Sequence, residues 1–288
     1  MKVLRVYFLA LIFAVCVACD SFNLLNTFIP PSATVNKRFE ASQEWNQSNL
    51  PLIIQSVTDD YSFFVSSDWH VVNHNTEHIR HFMSIARNCQ ESLFILALGD
   101  FVTTTGCIPD AAEAIVFDAA TQLKNDTVLA TAGNHDLYFN QWEDYQTYFK
   151  TATYAYVVKT PHFQDFFIVL DSGNGTLGNE QVAWLEQLLT QRITYRYCVI
   201  CTHTNFFRTD KNAALAGNFP IEETARLLNI FTSNNVNIVF NGHSHTKDDI
   251  TYNAVHYVSA DQLQGNNETV NFIKVDVSET INYTFLNQ

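Results

Sequence analysis

Five short apolar runs along this chain each stop on residues that pack poorly and coordinate well. Residues 61–65 (YSFFV) lead into Ser66-Ser67-Asp68-Trp69-His70, and residues 93–98 (LFILAL) into Gly99-Asp100. Residues 127–131 (TVLAT) lead into Gly133-Asn134-His135-Asp136, residues 197–201 (YCVIC) into Thr202-His203, and residues 237–240 (NIVF) into Gly242-His243-Ser244-His245. A sixth run, 166–170, ends on Asp171. Helix-like stretches separate them, at 74–88, 111–124, 180–191 and 221–232, and the second carries Ala112, Ile115, Val116 and Ala119 on one face. Strands alternating with helices predict sheets covered by helices, an α/β architecture. With 288 residues, 47% of them hydrophobic, the chain can bury a large core in one such domain. A net charge of −13 repels phosphate backbones, so nucleic acid is disfavoured as a partner.

In open α/β sheets, sites gather at the carboxyl ends of strands. One strand-end His is ordinarily a satisfied polar residue. Five such clusters, each in the same place relative to its strand, are hard to attribute to packing. Buried Asp is costly unless paired or bound to a cation. Asp and His together suit a borderline divalent ion such as Zn, Mn or Fe. Alternation in an extended segment puts His243 and His245 on one side, and Asp68 and His70 likewise. Gly99, Gly133 and Gly242 stand before the candidate ligands, where unusual backbone angles or close approach are needed.

In order, Asp68-x-His70, Gly99-Asp100, Gly133-Asn134-His135-Asp136, His203 and Gly242-His243-x-His245 resemble the motifs of the calcineurin-like metallophosphoesterases, over roughly residues 60–260. The resemblance implies a four-layer α/β/β/α sandwich of two mixed β-sheets flanked by helices. It also implies a site for two divalent metal ions, Mn, Fe or Zn. The first would be held by Asp68, His70, Asp100 and His245, the second by Asp100, Asn134, His203 and His243, with Asp100 bridging. The implied reaction is hydrolysis of a phosphomonoester or phosphodiester by a metal-bridging hydroxide. His135 would be the general acid and Asp136 would orient it. Two departures bear on the subgroup. Thr103 stands where purple acid phosphatases have a metal-binding Tyr, and the segment after His203, Thr204-Asn205-Phe206-Phe207, lacks the Pro common in cyclic nucleotide phosphodiesterase relatives. Asp171-Ser172-Gly173, followed by Gly178-Asn179-Glu180-Gln181 and Trp184-Leu185, resembles the helix entry of bacterial family members.

Other residues carry weaker signals. His74, His78 and His81 fall at helical spacing, which predicts a partly solvated helix face; His74, near His70, is also a candidate substrate contact. Asn205 and Arg208 are further candidates for the phosphate. Trp69 is expected to face away from the metals. Tyr138, Phe139, Trp142, Tyr145, Tyr148 and Phe149 are expected to pack together in the core. Neither His162 nor His256 has a visible partner. Cys198 and Cys201 are three apart in a strand and so lie on opposite faces, which predicts buried free thiols rather than a shared metal site.

The chain opens with Lys2 and Arg5 before an apolar run, 6–18, too short for a membrane span and suited to a secretory signal. Val17-Ala18-Cys19 resembles the end of a bacterial lipobox, with Cys16 where that motif usually has Leu. This implies export, with lipidation at Cys19 anchoring the protein to a membrane, facing the periplasm or cell surface. The Asn-x-Ser/Thr sequences at Asn46, Asn125, Asn174, Asn267 and Asn282 are then chance. The expected organisation is a signal at 1–19, a Ser- and Asn-rich tether at 20–50, and the enzyme domain at 51–288. Two alternatives stand beside a phosphoesterase: a surface binding protein that kept the scaffold without catalysis, and a nuclease relative, which the acidic charge disfavours.

Overall fold

The computed structural model describes residues 28–49, 51–103, 105–116, 127–207 and 218–288. Two sheets face each other. The first has five strands: β2 (Tyr61–Ser66), β3 (Ser92–Ala97), β4 (Val128–Ala130), β11 (Asn271–Val277) and β12 (Ile281–Asn287), in the order β12-β11-β2-β3-β4. The second has seven: β1 (Leu52–Gln55), β5 (Tyr154–Lys159), β6 (Gln164–Val169), β7 (Cys198–Cys201), β8 (Ile238–Asn241), β9 (Asp248–Tyr252) and β10 (Val255–Ser259), in the order β1-β5-β6-β7-β8-β10-β9. Strands β2, β3 and β4 run parallel, as do β6, β7 and β8. Both sheets are therefore mixed, as expected.

The sheets are joined by an aromatic core. Phe63 of β2 stacks on Phe94 at 4.8 Å and meets Phe167 and Phe240 of the other sheet edge-on at 5.5 and 6.0 Å. Such pairs add about 0.5–1.5 kcal/mol each beyond area burial. Helices α2 (Glu77–Asn88), α3 (Ile108–Val116) and α4 (Gln141–Phe149) cover the outer face of the first sheet, with Ile79, Phe82 and Met83 of α2 facing it. Helices α5 (Gly178–Leu189) and α6 (Ile221–Ser233) cover the second sheet through Val182, Leu185, Leu227 and Phe231. The result is the four-layer α/β/β/α sandwich. Cys198 lies in the outer core and Cys201 between the sheets, both buried and free.

The expected tether is corrected over residues 35–49. They form helix α1 (Val35–Asn49), which buries Arg38, Phe39, Ser42 and Asn46. Phe39 packs edge-on to Trp184 of α5 at 6.0 Å. Arg38 makes a bidentate pair with Asp171, Nε to Oδ2 at 2.7 Å and Nη2 to Oδ1 at 2.9 Å, with both side chains shut off from solvent. The helical spacing was present in the sequence, but polar residues occupy most of the buried face, so an apolar periodicity does not reveal it. Residues 1–19, including Cys19, lie outside the described residues. Among those described, no helix is long and apolar enough to cross a membrane.

The predicted helix at 111–124 is α3, which starts three residues earlier; residues 117–126 lie outside the described residues. The predicted helix at 74–88 begins later, at Glu77, because Asn73 and His74 take left-handed backbone angles. The aromatic cluster is core, with Phe149 stacked on Phe101 at 4.2 Å and Trp142 on Tyr145 at 5.3 Å. Phe139 and Tyr148 are exceptions and stay exposed.

Candidate metal centre

All five predicted clusters meet where the two sheets abut, at the carboxyl ends of β2, β3, β4, β7 and β8. The turns that carry them are strained. Asp68, His70, Asp100, His243 and His245 have φ of 52°, 51°, 54°, 68° and 50°. A non-glycine residue held in this region costs on the order of 1–3 kcal/mol where surroundings impose it, and such residues concentrate at functional sites. All three flanking glycines are demanded by close approach, and a Cβ on Gly99, whose φ is +92°, would lie 2.3 Å from the backbone nitrogen of Gly133. A Cβ on Gly133 would lie 2.3 Å from the backbone nitrogen of Asp100, and one on Gly242 would lie 1.8 Å from Ser67 Oγ. Backbone from one turn is thus pressed directly against the next.

Two groups of donor atoms result. Asp68, His70, Asp100 and His245 form one, and Asp100, His203 and His243 the other, each with its donor atoms within 4.8 Å of one another. Asn134 joins the second, its Oδ1 3.1 Å from His203 Nε2. Asp100 belongs to both. The second group is deeply buried, Asp100, Asn134, His203 and His243 included, whereas His245 is exposed and His70 partly so. The site is therefore closed on one side and open on the other.

The lone pairs in it need a cation. His203 Nδ1 lies 2.8 Å from the carbonyl oxygen of Leu98, which can only accept, so the ring proton sits on Nδ1. Its Nε2 then offers a lone pair to a space shared with Asn134 Oδ1, His243 Nδ1 at 3.0 Å and Asp100 Oδ2 at 3.5 Å. On the open side, His70 Nε2 and His245 Nε2 stand 3.0 Å apart. Asp68 Oδ1 is buried and lies 3.1 Å from His245 Nε2 without a hydrogen-bond alignment. Burial opposes a charged His70 ring, yet Asp68 and Asp100 outweigh it and push its pKa up to about 9. For Asp68 too, burial is outweighed by the imidazoles of His245 and His70, which hold the carboxyl well below its usual range. The carboxylates supply negative charge and the imidazoles nitrogen donors, a chemistry that fits divalent cations of the Zn, Mn or Fe type.

His135 stands half-buried beside the donor groups. Its ring meets His70 edge-on at 5.3 Å and Tyr138 at 5.6 Å, and its backbone N–H donates to Asp100 Oδ1 at 2.8 Å. Burial lowers its pKa against the pull of Asp100, with His70 and His203 adding to the shift. The expected role of Asp136 is corrected. Its two oxygens accept the backbone N–H groups of Asp100, Phe101 and Gly133, at 2.8, 2.8 and 2.9 Å. Asp136 therefore ties the β3 and β4 turns together beneath the site rather than steering the His135 ring.

The remaining candidates divide. Asn205 is corrected as a substrate contact: its amide donates to Ser244 Oγ and Ser259 Oγ at 3.1 and 2.9 Å, and its Oδ1 accepts from Phe207 N–H. It holds the His203 and His243 loops together. His74 is exposed and pairs with Asp110 of α3 at 2.9 Å. Arg208 lies outside the described residues. The His74, His78 and His81 stripe is not one solvated face, because His74 precedes the helix and His78 is buried. Trp69 packs inward against Phe82 and Phe101, as expected. His162 has a partner the sequence hides, Asp59 at 2.7 Å, and His256 lies 3.2 Å from Thr251 Oγ1. Sequence reasoning missed two buried residues that hold the donor turns, His78 and Ser172. For Ser172 a signal existed, since the sixth apolar run ends beside it.

Comparison with known proteins agrees with this geometry. Residues 61–247 match the family profile described as calcineurin-like phosphoesterase. No curated protein matches the sequence significantly. Among solved structures, the chain is similar to GAP50, the anchor in the inner membrane complex of Plasmodium, with 13% identity and a TM-score of 0.62, covering 80% of this chain and 85% of that one. It is similar to a dimetal phosphatase from Danio rerio, with 13% identity and a TM-score of 0.59, covering 79% and 98%. A purple acid phosphatase from yellow lupin (Lupinus luteus) seeds shares 12% identity and a TM-score of 0.58, covering 80% of this chain and 52% of that one. At these identities the likenesses establish the fold. Together with the profile match across most of the chain, they mean that this protein belongs to the calcineurin-like phosphoesterase family.

Proposed function

We propose that the chain is a metal-dependent phosphoesterase that uses two divalent cations to hydrolyse a phosphomonoester or phosphodiester. One observation carries the reading: two donor groups drawn from both sheets converge and share Asp100. Asp68, His70, Asp100 and His245 would hold one cation, and Asp100, Asn134, His203 and His243 the other. When bound, such a pair neutralises phosphoryl oxygens and lowers the pKa of water. The residues of the chain do the rest. Burial of Asp100, Asn134 and His203 excludes water from one side and keeps the field strong. The open side, at His70 and His245, admits the phosphoryl group.

His135 is the proton donor to the leaving oxygen in this reading. Its burial disfavours the imidazolium in the metal-free protein, with Asp100 opposing, and the negative charge of a bound phosphoester would favour its protonation. That couples acid catalysis to substrate binding. His74, exposed beside the first turn, is proposed as a substrate contact. The opening residues support export and anchoring through Cys19, which would place the site outside the cytoplasm. A binding protein on the same scaffold is the second reading, and the likeness to an anchor protein favours it. The complete donor set argues for catalysis instead. The test is to strip the protein of metal, restore Mn, Zn or Fe in turn, and assay a nitrophenyl phosphate monoester and diester. Metal-dependent turnover supports the enzyme. Bound metal with no turnover of either ester supports the binding protein.

A further inference from the structure

The two halves of the site are gripped by two different buried groups, neither of which offers a donor to a cation. His78, on α2, places Nε2 2.6 Å from the carbonyl oxygen of Trp69, the residue between Asp68 and His70. A carbonyl only accepts, so His78 donates from Nε2. The peptide it holds is strained on both sides, with φ of 52° at Asp68 and 51° at His70. Further ties on this turn are Asp68 N–H to Gly99 O and His70 N–H to Asp100 O, both 3.0 Å, Leu263 N–H to Asp68 O at 3.2 Å, Trp69 Nε1–H to Ser66 Oγ at 3.0 Å and His243 N–H to Asp68 Oδ2 at 2.9 Å.

Ser172 does the corresponding work in the second sheet. It follows β6, beside the end of β7, and is fully buried. Its Oγ accepts the backbone N–H of His203 at 3.1 Å and of Thr204 at 2.8 Å, and the hydroxyl of Thr202 at 2.7 Å. Its carbonyl accepts from Thr204 Oγ1 at 2.8 Å. The turn that presents His203 thus folds around one hydroxyl oxygen.

We infer that His78 and Ser172 are positioning residues with separate duties: His78 fixes the ligand turn of the first cation, and Ser172 that of the second. This rests on the two-cation reading. Each clamp grips a turn that supplies ligands to one group only, because Asp68 and His70 belong to the first and His203 to the second, while the shared Asp100 is held by neither. Loss of a group that orients a ligand typically costs about 10–100-fold in metal affinity. The structure therefore predicts that the two affinities can be lowered one at a time without touching a ligand.

The test uses the full chain and Mn2+ alone, followed by calorimetry. An Asn134→Ala/His243→Ala background keeps the first donor group, and a His70→Ala/His245→Ala background keeps the second. His78→Leu is expected to weaken Mn2+ about 10–100-fold in the first background and leave the second unchanged, and Ser172→Ala to do the reverse. His78→Gln, whose amide nitrogen can reach the same carbonyl, is expected to restore affinity. Should His78→Leu not fold, His78→Asn, with its amide too short to reach, replaces it. Equal losses in both backgrounds, no loss in either, or no rescue by Gln would overturn the inference while leaving the metal site standing. Absence of Mn2+ binding in both unsubstituted backgrounds would overturn the two-cation reading itself, and the clamps with it.

Discussion

Replacing Arg38 by Met tests whether the segment before the first strand is part of the folded body. Arg38 is fully buried and donates to both oxygens of Asp171, at 2.7 and 2.9 Å, to the carbonyl of Ala33, and lies 5.7 Å over the ring of Trp142. Removing it leaves the Asp171 carboxylate buried and without its counter-charge. Breaking one side of a buried pair costs about 3–5 kcal/mol. For a chain of this size, each kcal/mol shifts Tm by about 2–4 °C, so thermal unfolding should drop by about 6–20 °C. The loss should be far smaller in Arg38→Met/Asp171→Leu, because no unpaired charge remains. Calorimetric or circular dichroism melts of the parent, both single variants and the double variant give the coupling directly. A Tm for Arg38→Met within about 2 °C of the parent, well under what breaking a buried pair demands, would show that the pair does not hold this segment to the body. It would mean that residues 35–49 behave as a tether.

The site gives further expected outcomes. Gly133→Ala forces a Cβ to within 2.3 Å of Asp100 N, so the β3 and β4 turns must part; turnover should fall by about 10²-fold or more. Asp100→Asn should abolish activity on either ester, since both donor groups use that side chain. His135→Ala should lower kcat by about 10²–10⁴-fold while Mn2+ binding, measured separately, stays intact; loss of the metal instead would contradict its assignment as a proton donor. In metal-free protein, the raised pKa of His70 contributes stability that is full below its unfolded value near 6.5 and is lost as pH rises through about 9. A Tm profile across that window should slope downward and flatten in His70→Gln.

The parts of this site visible in the sequence are those set by strand ends. Asp68, His70, Asp100, Asn134, His203, His243 and His245 were legible because each follows an apolar run, and parallel strands bring such ends together. Alternation pointed to sheets covered by helices, and the four-layer arrangement came from the family resemblance. The strain in the donor turns was not legible, because Asp and His take left-handed angles only where neighbouring turns impose them. Asp136 shows how adjacency misleads. It follows His135 in sequence, yet its side chain enters the interior and accepts three backbone N–H groups. His78 looked like one of three solvated imidazoles, and its burial depends on how α2 lies against the Trp69 turn, a tertiary fact. Helix α1 escaped because Arg38, Ser42 and Asn46 fill its buried face, and such a face is recognised only through its partners: Asp171 for Arg38, the Ala152 N–H for Ser42, and the Thr153 carbonyl for Asn46.

In the proposed enzyme one carboxylate, Asp100, serves two cations. Anomalous diffraction from crystals loaded with Mn2+ tests this sharing. Two peaks are expected about 3.5–4 Å apart, both within bonding reach of Asp100, one beside Asp68, His70 and His245 and the other beside Asn134, His203 and His243. A single peak, or two peaks of which either lies away from Asp100, would contradict it.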